Sequence, residues 1–248
     1  MFYKMTKKFL LLAPMLLVSS LGTSNVLAAE YPEADKAKSD LSVSFEKTER
    51  PGEIPDPENP LIPWEPEEEN PGNPNEGELQ LRYISDFKFG THEKSVETVY
   101  ALADKDKNGK EVTPFLTTVD NRGSERKGWE LTAKLGGDWM NGQHKLEGAE
   151  LQLSNMNYKT TDNGTPTPTA GIITLNDSPQ TITLANKIQG TGSYSMAFGS
   201  LDGTTAEGQT TSGVSLHVPK NVQKDEGSYT NTIEWELRMD PTALSTVE

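Results

Sequence analysis

The sequence predicts an all-β fold, an antiparallel, sandwich-like single domain, and three observations carry that expectation. From residue 78 onward, short runs alternate apolar and polar residues with the period of two that a half-buried strand requires: "ELQLRYIS", "VETVYALA", "PFLTTVD", "GWELTAKLG", "AELQLSNMNYKT", "GIITL", "TITLA", "SYSMAFG", "GVSLHVP" and "NTIEWELRM". Turn chemistry separates them, in "KNGK", "GGD", "DNGTP", "LNDSP", "LDGTT" and "VPKN". No window sustains the 3.6-residue apolar stripe of an amphipathic helix.

Ahead of that domain, residues 1–28 have the layout of a secretory signal peptide. A basic start, "MFYKMTKK", precedes the apolar "FLLLAPMLLVSSLG" and the small residues of "SNVLAA", so cleavage is expected after Ala28 or Ala29. The apolar run falls short of the roughly 20 residues that span a bilayer. Losing Lys4, Lys7 and Lys8 with no acid takes the formal charge from −14 down by three, to −17. Such a surplus of acid excludes nucleic acid as a partner, because phosphate binding needs clustered Lys and Arg. It also disfavours a plain electrostatic grip on an anionic membrane or wall polymer. There is no cysteine, so an exported domain of this kind relies on its core instead of disulfides.

Residues 29–47 contain one candidate strand, "DLSVSFE", in which Leu41, Val43 and Phe45 alternate with polar residues. Residues 48–77 hold eight of the sixteen prolines and a run of acids. They read as a semi-extended strap or linker, and composition favours the plain linker. Ile62, Pro63 and Trp64 form an apolar bead in that acidic string, with docking on the domain or on a partner as the rival reading. The β domain is expected over 78–248.

Few constellations suggest chemistry. Asp104, Asp106, Asn108 and Gly109 open like a calcium loop, but Phe115 stands at the twelfth position where the loop needs Glu. Asn-Gly between two strands is a strong hairpin signal, so a hairpin is expected there and calcium is the weaker alternative. His92-Glu93 begins like a zinc-protease motif, yet Val96 occupies the place of the second His. His144 and His217 stand far apart in sequence. A glycan hydrolase needs two carboxylates about 5 to 9.5 Å apart, and with 37 acids a pair can always be nominated. No catalytic residue and no cofactor are assigned; a non-enzyme is expected.

Two of the four tryptophans lie in the same tripeptide, Trp-Glu-Leu. On a strand, Trp129, Leu131, Ala133 and Leu135 share one face and Glu130, Thr132 and Lys134 the other. In the second run Ile233, Trp235, Leu237 and Met239 face one way, and Glu234, Glu236 and Arg238 the other. Each reads as a half-buried strand with Trp on its apolar side, either core or a partly open apolar patch if the strands are neighbours. Asp120 and Arg122 precede the first run, and a role for Arg122 beneath the loop that feeds it is favoured over ligand binding. Trp139 reads as core or loop cover, and Tyr229 as a hydroxyl satisfied on backbone near the last strand.

Assembled, these features resemble the WxL family of Gram-positive cell-surface proteins. Tyr229, a spacer, Trp235-Glu236-Leu237 and Asp240-Pro241 match the family's terminal pattern; Asp120, Arg122, Gly123, Gly128, Trp129 and Leu131 match its central segment. The signal peptide, "SVSF", the strap and "FKFG" at 87–90 agree in order. The resemblance implies a secreted, cell-wall-associated protein held non-covalently on peptidoglycan. It implies membrane-anchored WxL-interacting proteins and other WxL proteins as partners. It marks Trp129, Leu131, Trp235 and Leu237 as wall-binding candidates, with Asp120, Arg122 and Tyr229 in support. The chain stops at "DPTALSTVE" with no sorting-signal tail, which fits attachment through a folded module. An adhesin for host matrix proteins and a structural subunit of a surface assembly are the alternative readings.

Overall fold

A computed structural model of the protein describes residues 30–39, 41–46 and 52–239. The expected signal peptide and the Asp240-Pro241 pair lie outside these residues. The chain divides into two units, Met1–Lys47 and Thr48–Glu248. In the first, β1 (Glu30–Glu33) and β2 (Lys36–Lys38) pair as an antiparallel hairpin. The strand expected over Leu41–Phe45 does not form, and its Leu41, Val43 and Phe45 side chains are 95%, 75% and 91% exposed. An alternating run becomes a strand only where a sheet edge takes up its backbone groups.

In the second unit each alternating run from residue 78 contains a strand, and no helix occurs among the described residues. In chain order they are β3 (Leu79–Ile84), β4 (Thr98–Leu102), the short hairpin of β5 (Asp104–Lys105) and β6 (Glu111–Val112), β7 (Phe115–Asp120) and β8 (Gly128–Leu135). A second short hairpin, β9 (Met140–Asn141) and β10 (His144–Lys145), leads to β11 (Glu150–Leu153), β12 (Met156–Tyr158), β13 (Thr167–Pro168) and β14 (Ile173–Leu175). The rest are β15 (Gln180–Asn186), β16 (Gly192–Phe198), β17 (Leu201–Thr205), β18 (Gly208–His217) and β19 (Ile233–Met239). Antiparallel pairing assembles three larger sheets, ordered β12-β16-β7-β3, β13-β15-β8-β19 and β14-β11-β18-β17, with β4 also on β18.

Two corners carry the chain from sheet to sheet. "AELQLSNMNYKT" is two strands, not one, because the backbone turns at Asn155, whose φ is 51°. At Gly199, between β16 and β17, φ is 78° and a Cβ would stand 2.4 Å from the Gly213 nitrogen. Only glycine fits there. "LDGTT", expected as a turn, is β17 itself, and the reversal falls after it, before Gly208.

Side chains from all three sheets meet in one core that includes Leu116, Trp129, Leu131, Leu153, Phe198 and Val214. β7 is buried on both faces. Leu116 points to this core, whereas Phe115 joins Ile54, Trp64, Tyr83 and Val112 in a second cluster.

That second cluster overturns the plain-linker reading of residues 48–77. Trp64 is 4% exposed and packs edge-on against Tyr83 and Phe115, with ring centroids 4.8 and 4.9 Å away. The strap doubles back on itself, with the Trp64 N–H donating to the Ile54 carbonyl and the Asp56 N–H to that of Ile62. Eight prolines take backbone donors out of this segment, and side chains of the domain supply further hydrogen bonds. Arg82 Nε donates to the Gly52 carbonyl at 2.9 Å, Ser195 Oγ to the Pro55 carbonyl at 2.6 Å and Lys110 Nζ to Asp56 Oδ2 at 2.7 Å. Composition reports stiffness and charge; it does not report that Ile54 and Trp64 are buried on the domain.

Candidate functional site

The two Trp-Glu-Leu strands lie side by side. β19 pairs antiparallel with β8 in a register that sets Leu237 opposite Leu131, Trp235 opposite Ala133 and Met239 opposite Trp129. The tripeptides therefore meet at their leucines. β8 has a second neighbour, β15, on its other side, whereas β19 is the edge of the sheet. Position in the sheet sets their exposure. Trp129 and Leu131 are 0% exposed, and Trp235 and Leu237 are half-buried.

The expectation that both tryptophans border an open patch therefore fails for the first strand. Its supposed polar face is buried as well, with Glu130 and Thr132 at 8% and 6% exposure, and Glu130 Oε1 accepts the Thr181 hydroxyl at 2.5 Å. Local sequence explains how tightly Trp129 is held. Gly128 has a φ of 110°, and a Cβ there would sit 2.1 Å from the Ala185 carbonyl oxygen. A Cβ on Gly190 would press within 2.6 Å of the Trp129 indole nitrogen. Gly128 lets the β15 backbone approach β8, and Gly190 lets its own backbone close over the ring.

Asp120 and Arg122 hold the loop into β8. The guanidinium forks onto the carboxylate, with Nε to Oδ1 at 2.9 Å and Nη2 to Oδ2 at 2.8 Å, and Nη2 also donates to the Gly128 carbonyl at 2.9 Å. Asp120 is fully buried and Arg122 nearly so. The Tyr229 hydroxyl accepts the Asp225 backbone N–H at 2.9 Å. The calcium candidates are committed within the chain. The Asp104 carboxylate accepts Tyr83 and Ser85 hydroxyls, and Asp106 Oδ1 accepts the Asn108 and Lys110 N–H groups in the hairpin turn. Desolvation raises the Asp106 carboxyl, but the Lys110 and Asn108 N–H groups, the Asn108 side chain and the Lys110 charge together outweigh it and hold the group below its usual range.

Beside β19 runs an aromatic groove with two adjoining chambers that share Phe87, Phe89, Trp139 and Asn231 in their linings. One, about 420 Å³, is lined by Phe87, Leu135, Ile233 and Trp235, and the other, about 490 Å³, by Phe89, Val99, Leu146, Leu216 and Tyr229; Trp139 faces both. The walls are fixed by backbone bonds. Met140 and Thr230 exchange N–H···O bonds of 3.0 and 2.9 Å, and Lys224 Nζ ties its loop to the Val96 carbonyl at 2.6 Å. Polar groups rim the second chamber, including His92, Asp225, Ser228 and Asn231. The alternation in "FKFG", which places Phe87 and Phe89 on one face, was the available signal for this wall. Trp139, expected as core or cover, is half-buried and lines both chambers, next to the Met140–Thr230 backbone pair that sequence alone does not reveal.

A family model described as WxL domain surface cell wall-binding matches residues 32–241. The chain belongs to the WxL family. It is a surface protein of the cell-wall-binding type, and the WxL match includes the strap and both Trp-x-Leu strands. No significant match was found among curated proteins or among solved structures.

Proposed function

We propose that this WxL protein attaches non-covalently to peptidoglycan by holding glycan in the aromatic groove. The observation that carries the reading is the placement of Trp235, Trp139, Phe87, Phe89 and Tyr229 along two adjoining, polar-rimmed chambers. Sugar rings present apolar faces and hydroxyl edges, and a cleft with aromatic walls and a polar rim suits both. A protein of net charge −14 cannot rely on cationic side chains to hold anionic wall polymer, so stacking and directed hydrogen bonds must supply the affinity. Of the four motif side chains, Trp235 reaches the groove, while Trp129, Leu131 and Leu237 support its strand from within. The role is non-catalytic, and membrane-anchored WxL-interacting proteins and other WxL proteins are its expected companions in a surface complex.

Sedimentation with purified peptidoglycan tests this reading, comparing wild type with Trp235→Ala and recording thermal unfolding on both. Loss of pelleting with a retained cooperative transition supports groove binding. Undiminished pelleting by a folded variant moves the wall contact elsewhere.

A further inference from the structure

The seven-residue β19 (Ile233–Met239) is the longest edge strand among the described residues. Other edges are short or covered. β13 has two residues, one of them Pro168, while β3 is overlaid by the strap, where Asn70 and Asn73 side chains donate to the carbonyls of Ile84 and Leu81. Among the described residues β19 has no such cover. The Gly136 N–H donates to the Thr232 carbonyl, and from that bond antiparallel alternation turns the even-numbered backbone groups of β19 toward β8. Those of Ile233, Trp235, Leu237 and Met239 therefore point outward from the sheet. An open edge of this length is a template for another strand.

The same chain carries an alternating segment that has found no sheet edge. Leu41, Val43 and Phe45 alternate with Ser42 and Ser44 and are almost wholly exposed. We propose that residues 41–46 of one copy add antiparallel to the β19 edge of a second copy. Setting Leu41 against Leu237, Val43 against Trp235 and Phe45 against Ile233 satisfies every condition at once. Residues directly opposite share a face, so the three apolar side chains extend the apolar face of β19. Phe45 then lies over the 420 Å³ chamber bordered by Ile233 and Trp235. Uncharged Ser42 and Ser44 fall opposite Glu236 and Glu234, where acids would repel. Main-chain bonds supply affinity and the alternate side chains supply register, as in other strand additions.

Donor and acceptor are different surfaces, so the contact repeats head-to-tail into open chains or rings, with reciprocal exchange in a two-fold pair as the shortest ring. Glycan keeps the 490 Å³ chamber on every copy, and the Trp235 chamber stays open to it wherever the β19 edge is unfilled, as in the monomer. The surface layer is then built from the WxL chain itself, each copy lending a strand to the next.

Sedimentation velocity on the chain freed of its expected leader tests this, run over a wide concentration range with and without a synthetic peptide of residues 40–47. Wild type is expected to form a ladder of species that grows with concentration and collapses to monomer when the peptide caps the edge. Val43→Asp places a charge on an exposed side chain, so folding is untouched, and it is expected to stay monomeric. Wild type that remains monomeric throughout, or a ladder that survives Val43→Asp, overturns the proposal. Peptidoglycan pelleting by monomeric Val43→Asp is expected to persist, which separates failure of strand exchange from failure of wall binding.

Discussion

β8 and β19 carry the same tripeptide in adjacent strands, and they differ in almost every physical respect. β8 is flanked on both sides, buried on both faces and fed by a loop clamped on a buried carboxylate. β19 has one neighbour, an exposed charged face and a tryptophan at the rim of a groove. Identical residues thus do different work according to how many strands flank them. The inner copy specifies the fold, and the outer copy presents a surface.

The largest expected effect is on the inner copy. Trp129→Ala removes a fully buried indole from the shared core and is expected to cost about 3–5 kcal/mol, seen as a lowered denaturation midpoint or as failure to fold. Any wall binding it loses should be lost in step with folding. Arg122→Ala should come close behind, because it strands the buried Asp120 carboxylate without its forked partner, at a cost of about 3–5 kcal/mol for an uncompensated buried charge. Arg122→Lys keeps the charge but loses the fork and the Gly128 contact, so chemical denaturation should place it between the two. A smaller Arg122 effect than at an exposed ion pair would break the distinction between a clamped inner strand and a free outer one.

Alkali probes the interior from a different direction. Burial pushes the phenols of Tyr83 and Tyr158 well above the ordinary tyrosine range, and the neighbouring Asp104 carboxylate adds to the effect at Tyr83. Their folded values are raised, so the stability they protect is complete below the unfolded value of about 10 and declines as pH climbs past it. Thermal unfolding followed from pH 8 to about 11.5 should show a falling midpoint above pH 10. Tyr158→Phe should flatten that fall. Tyr158 lies against Thr183 of β15, in the sheet that also holds β8, so the loss begins on the inner side of the comparison.

The fold was readable because period-two alternation is a local property. Each run from residue 78 onward states its own face, and Asn-Gly in "KNGK" states its own turn, with Gly109 at a φ of 79°. Three features were not local and escaped. Trp64 looks like a bead on an acidic string until Tyr83 and Phe115 are brought beneath it. Leu41, Val43 and Phe45 alternate like a strand, but alternation does not provide an edge. Glu130 and Thr132 read as solvent-facing, and only the flanking strands bury them. The candidate site divides the same way. Arg122 beneath the loop into β8 followed from its spacing to Asp120, whereas the groove depends on three segments, 87–89, 139–140 and 229–235, that meet only after folding.

Trp235→Ala is the smallest of these perturbations to stability and the most informative about function. Its indole is half-buried and tilted against Phe198, with ring centroids 6.1 Å apart, so its removal should cost about 2 kcal/mol, roughly half of what a fully buried aromatic loses. β8 remains intact beneath it, and the variant should keep a cooperative transition at a modestly lowered midpoint. Pelleting with peptidoglycan should fall much further than stability does, because the lost face belongs to the groove wall. The ratio of the two effects is what distinguishes the copies. For Trp129→Ala binding and folding should decline together, and for Trp235→Ala binding should decline far more than folding. If Trp235→Ala instead destabilises as severely as Trp129→Ala, the outer strand is core in the same sense as the inner one, and the pairing of Leu131 with Leu237 is a device for folding only.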